Sequence, residues 1–136
     1  MKVVTAIVLM IMFSTQVLAQ AQFSLQPRLS GNKAPSALLG IWGTARQCAA
    51  HKSGKTDDPL LFPYIITHDW IKQGFIYCFL AWYEPTRSVG NNQAFAFAQC
   101  GEDQLRDYQL ELNLREGKLS IRWSDDFTTR ELEACE

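Results

Sequence analysis

The sequence predicts an all-β protein, a small up-and-down meander of about seven strands that curls into a closed or partly open barrel. Short stretches of β-branched and aromatic residues alternate with turn clusters from Leu38 onward. Near the carboxyl end two such stretches flank Glu116-Gly117 with strict alternation. Four cysteines, Cys48, Cys78, Cys100 and Cys135, all lie in this part of the chain, an even number that suits staples for a small core.

Ahead of the meander, Met1-Lys2 is followed by an apolar run from Val3 to Phe13. That run is too short to span a bilayer. Small residues then recur at alternate positions around Ala19 and Ala21, the pattern accepted by a signal peptidase. Residues 1–21 are therefore expected to be an export signal cleaved after Ala21, with Ala19 as the alternative, so that the mature chain is periplasmic or secreted. Removing the signal leaves 115 residues with all 14 acidic groups and 12 of the 13 basic ones, a net charge of −2. This balance offers no electrostatic attraction to nucleic acid or to an anionic membrane, and no span remains in the mature chain.

Residues 22–37 contain Pro27, Gly31 and Pro35 and no sustained periodicity, which predicts an extended, mobile arm. Residues 38–136 form the single disulfide-bonded domain. Its strands are expected at Leu39–Cys48, Leu60–His68, Ile71–Tyr83, Gln93–Cys100 and Thr128–Cys135, together with the hairpin around Glu116-Gly117. In the hairpin a two-residue turn pairs Leu114 with Leu119, Leu112 with Ile121 and Leu110 with Trp123 on one face. The same register sets Glu111 against Arg122 on the other, so both faces favour it.

A loop centred near Val89 would set Cys78 opposite Cys100, which favours a Cys78–Cys100 disulfide. Cys48 and Cys135 would then join the first and last strands, which run the same way in a seven-strand meander. Cys48–Cys78 with Cys100–Cys135 remains open, since four cysteines allow three connectivities. Zinc ligation calls for close pairs such as C-x-x-C, and none occurs. Neither a metal nor another cofactor is expected.

The central hairpin carries the candidate binding surface. Phe75, Tyr77, Phe79, Ala81 and Tyr83 share a face with Phe95 and Phe97, whereas Ile76, Cys78, Leu80 and Trp82 share the other with Ala94, Ala96, Ala98 and Cys100. Both faces are apolar, so the one outside the core needs a cover: the arm, a partner protein or a small apolar ligand. Tyrosine hydroxyls beside phenyl rings suit a glycan, a peptide or a protein.

Catalytic signatures are sparse. His51 sits in a polar stretch, where a histidine is ordinarily just solvated. His68-Asp69 offers an acid–base pair, yet neighbours on a strand point to opposite sides. The acidic pairs Asp57-Asp58, Glu102-Asp103 and Asp125-Asp126 all fall at expected turns, where Asp serves the backbone. The nucleophile elbow, phosphate loop, dinucleotide fingerprint, zincin and EF-hand motifs are missing.

Gly40-Ile41-Trp42 resembles the G-x-W of the opening strand in lipocalins and related small barrels. The resemblance implies that Trp42 plugs the barrel base under a basic residue near the last strand, for which Arg130 is the match. An export signal, an arm, G-x-W and a compact disulfide-bonded barrel together look like the small periplasmic metalloprotease inhibitors of bacteria. That likeness implies a trunk at Gln22, Phe23, Ser24 and Leu25 that enters a protease cleft. The chain equally resembles other small exported proteins of Gram-negative bacteria without an assigned role. The expected function is a non-catalytic exported binding module, in its sharpest form an inhibitor of an extracellular or periplasmic hydrolase. The alternatives are an envelope-associated structural or oligomeric protein and a hydrolase using His68 with a turn carboxylate.

Overall fold

The computed structural model describes residues 33–54, 57–83 and 92–136. The expected export signal, the expected trunk residues and most of the Pro85–Asn92 loop lie outside them. Eight antiparallel strands follow one another round a closed barrel: β1 (Gly40–Gly43), β2 (Tyr64–Ile66), β3 (Trp70–Gln73), β4 (Ile76–Trp82), β5 (Gln93–Cys100), β6 (Arg106–Arg115), β7 (Lys118–Trp123) and β8 (Leu132–Ala134). Every strand pairs with its chain neighbour, and β8 returns to β1.

The eighth strand corrects the expected count of seven. The stretch read as one strand from Ile71 to Tyr83 turns back on itself at Gly74-Phe75, where Gln73 pairs with Ile76. Gly74 has φ +58°, and positive φ at the first turn position of a tight hairpin favours glycine. A Cβ there would also lie 2.7 Å from the Phe62 ring. An even strand number makes the closure antiparallel, so Trp42 pairs with Ala134 in opposed strands, not in the parallel arrangement expected from seven.

A second correction falls between β1 and β2. Leu39–Cys48 holds only four strand residues before α1 (Ala45–Ser53) begins. Thr44 and Gln47 form a reciprocal capping box: the Thr44 hydroxyl accepts from Gln47 N–H, and the Gln47 side-chain oxygen accepts from Thr44 N–H at 2.8 Å. The helix stops at Gly54 in the left-handed region. Capping of this kind is local and outweighs weak β propensity. Leu60–His68 likewise opens with a 3-10 turn at Pro59–Leu61, capped by Asp58, before β2 starts.

The β6–β7 hairpin has the expected register throughout, with Leu110 opposite Trp123, Leu112 opposite Ile121 and Leu114 opposite Leu119. Glu116 and Gly117 both have positive φ, as the favoured two-residue hairpin turn requires. On the outer face Arg122 donates to Glu111, which also accepts from Gln93 and Asn113. These bonds hold the Glu111 carboxyl below its ordinary pKa, the Asn113 bond most of all and against the opposing effect of burial.

Inside the barrel lie Trp42, Ile66, Ile71, Leu80, Trp82, Leu110, Leu112, Leu119, Ile121 and Leu132, all buried. Ala96 and Ala98 stand opposite Trp82 and Leu80, so small side chains on β5 make room for large ones on β4. Close packing of that kind fills a narrow barrel. At the end where β1 begins, Ala34 and Leu38 join the core, and the Leu38 carbonyl accepts from the Trp42 indole at 3.1 Å. The end of the expected arm thus belongs to the folded domain, with Ser36–Leu38 in a 3-10 turn.

Candidate functional site

The disulfides are Cys48–Cys135 and Cys78–Cys100, and no described cysteine is free. Cys48 sits on α1, so its bridge ties the helix to the end of β8.

Alternation along β4 and β5 sends the two apolar faces of the central hairpin to opposite sides of the wall. Cys78, Leu80, Trp82, Ala94, Ala96, Ala98 and Cys100 point inward and are buried. Phe75, Tyr77, Phe79, Tyr83 and Phe95 are exposed, with Phe75 at 89% and Phe79 at 59%, and Phe97 is half-buried. Trp70 lies opposite Phe79 on β3 and extends the surface. Its ring meets Tyr77 at 5.6 Å, and Tyr77 meets Phe79 edge-on at 5.1 Å. At the turn Phe75 packs edge-on against Phe62 at 5.9 Å.

The expected aromatic residues therefore share one outer wall but form two groups. Trp70, Tyr77 and Phe79 make a continuous ladder, while Tyr83, Phe95 and Phe97 lie beyond Ala81 without a ring contact to it among the described residues. Polar residues stand across the strands from these rings: Lys72 faces Tyr77, Gln99 faces Phe79, Glu111 faces Phe95 and Gln109 faces Phe97. Trp70 and Phe62 were missed because their parity appears only once the Gly74-Phe75 turn is recognised. The Trp70 signal was a tryptophan one place ahead of the expected strand.

A second concave feature opens at the barrel end where β4 and β6 begin. It is a cavity of about 290 Å³ bordered by Tyr64, Ile71, Ile76, Tyr108, Trp123 and Phe127, with the Cys78–Cys100 disulfide in its wall. No signal in the periodicity located it, since its borders come from six strands and a loop.

The other sequence candidates are dispersed. Trp42 is buried and bonded to Leu38, whereas Arg130 is exposed ahead of β8; no cation–π contact between them occurs among the described residues. His51 is exposed in the last turn of α1, and His68 is exposed in the β2–β3 turn. The His68 and Asp69 contacts with the barrel run through main-chain carbonyls, which accept from the Trp82 indole at 2.7 Å and from Leu80 N–H at 2.8 Å. Asp58 and Asp125 accept backbone N–H groups of Leu60 and Phe127, the turn role expected for Asp. Among the described residues no three His, Cys, Asp or Glu side chains gather as a metal site, and no helix is long and apolar enough to cross a membrane.

The fold and its covalent links define the class: a closed, eight-stranded, disulfide-linked antiparallel β-barrel. No family model, curated protein or solved structure matches the chain.

Proposed function

We propose that the chain is an exported, non-catalytic binding protein, periplasmic or secreted, whose working surface is the aromatic outer wall of β3–β5 and whose target is a protein. The observation that carries this reading is the exposure of Phe75, Tyr77, Phe79, Tyr83 and Phe95 on one side of the barrel. Burying such rings is a strong source of association free energy. Phenyl rings without polar tips at the centre and Lys72, Gln99, Gln109 and Glu111 beside them match the apolar core and polar rim of a protein interface. A glycan platform would present more hydrogen-bonding groups among its rings. Two disulfides, one linking positions 87 residues apart, support an oxidising compartment.

The reading is tested with a photoreactive phenylalanine analogue at position 79, and at Lys118 on β7 as the control, in the secreted or periplasmic fraction. A discrete heterologous adduct is expected from position 79, lost when Phe95→Ser and Tyr77→Ser are added. Equal labelling from position 118, or no adduct from position 79, would sink the proposal. An adduct only with a second copy of the chain would replace it with self-association.

A further inference from the structure

The open barrel mouth is separate from the outer wall and carries its own chemistry. Tyr64 is 7% exposed and borders the cavity, and its hydroxyl makes no hydrogen bond among the described residues. Trp123 borders the same cavity, and its indole N–H is enclosed, with no acceptor among the described residues. Buried donors are nearly always paired, because leaving water without a new acceptor is costly. Tyr64 thus sets an unpaired hydroxyl donor beside a cavity of about 290 Å³, close to the lower end of ordinary small-molecule sites, an arrangement for a ligand that accepts a hydrogen bond.

The rest of the lining restricts that ligand. Ile71, Ile76, Phe127 and the disulfide supply apolar walls, Gln73 and Tyr108 add neutral polar groups, and no lysine, arginine or histidine among the described residues borders the cavity. Its one carboxylate, Asp125, is exposed. An anionic head would meet Asp125 with no counter-charge, and a cationic one would meet the Tyr64 donor. From this geometry we infer that the mouth binds a small neutral molecule whose carbonyl or ether oxygen accepts from Tyr64 and whose aromatic or short aliphatic body packs beside Trp123. A phenol at its ordinary pKa of 10.0 is already protonated at neutral pH, and burial raises the Tyr64 value further, so the group is a donor there.

The test uses the full exported chain labelled with ¹⁵N, in which the four tryptophans report from different places: Trp123 in the mouth, Trp70 on the outer wall, and Trp42 and Trp82 in the core. Acetophenone, toluene and benzoate share a ring but differ in acceptor and charge. Acetophenone is expected to shift the Trp123 indole resonance saturably, with Trp70 unmoved. Toluene and benzoate should each bind several-fold more weakly. Tyr64→Phe, which removes a hydroxyl that bonds nothing else among the described residues, should weaken acetophenone roughly fivefold, the usual worth of one neutral hydrogen bond. Phe127→Ala, at an exposed rim position, should weaken all three compounds. No saturable shift at Trp123, equal affinity for the three compounds, or unchanged binding in both variants would overturn the inference. A shift at Trp70 in place of Trp123 would overturn it as well.

Discussion

Cys78 and Cys100 stand directly opposite one another on β4 and β5, and the disulfide between them faces the barrel interior, where it forms part of the cavity wall. Cys78 is 1% exposed and Cys100 8%, whereas Cys48 and Cys135 are only half-buried. The two bridges therefore differ in access although both close the same small domain.

Mild reductant without denaturant is expected to open Cys48–Cys135 first, because thiol exchange needs approach to a sulfur. Alkylation and peptide mapping over time would show this order, and earlier release of Cys78–Cys100 would contradict the burial described. Removing the outer bridge by Cys48→Ala with Cys135→Ala should still cost about 4–5 kcal/mol by urea unfolding. It closes a loop of 87 residues, for which the chain-entropy relation gives that size of effect.

Glu111 should impose an acid limit on stability. Its folded pKa lies below the ordinary value of 4.5, so in that region the unfolded chain binds more protons than the folded one. The stabilisation is fully present above about pH 4.5 and is lost as pH falls through the folded value. Glu111→Gln is expected to cost about 1 kcal/mol at pH 7 and to flatten the acid side of a plot of melting temperature against pH. An unchanged acid slope would separate Glu111 from that effect.

The in-and-out alternation of the barrel wall predicts opposite responses to truncation. Leu112→Ala, at a position with no exposure, should cost about 2–5 kcal/mol. Phe79→Ser, on the outer wall, should change stability by about 0.5 kcal/mol or less while removing a ring from the candidate interface. Denaturant midpoints for the two variants read this directly, and comparable losses would show that the outer wall is packed against something.

Much of the barrel was legible where pattern and local chemistry agreed. The β6–β7 register followed from alternation on both faces and from Glu116-Gly117, and the register of Cys78 with Cys100 followed from the length of the intervening loop. The division of the β4 and β5 side chains into two faces was also legible, because side-chain direction along a strand has period two. What was misread had competing signals. Leu39–Cys48 looked like a strand because Ile41 and Trp42 are strong strand formers, while the Thr44–Gln47 capping box that starts α1 is carried by two polar side chains. The Gly74-Phe75 turn was hidden between apolar residues, and only the contact of Gly74 with Phe62, twelve positions away in the chain, shows why glycine is needed there.

The amino-acid sequence by itself determined the all-β class, the disulfide-capable cysteine set and the aromatic face, because these depend on residue type and on neighbours a few positions apart. Tertiary structure alone decided that the strand number is eight, that the closure is antiparallel, and that Trp70 joins the Tyr77–Phe79 ladder. It also decided that Tyr64 and Trp123 border one cavity. Those relationships join residues from strands far apart in the chain, and closing the barrel is what brings them within reach.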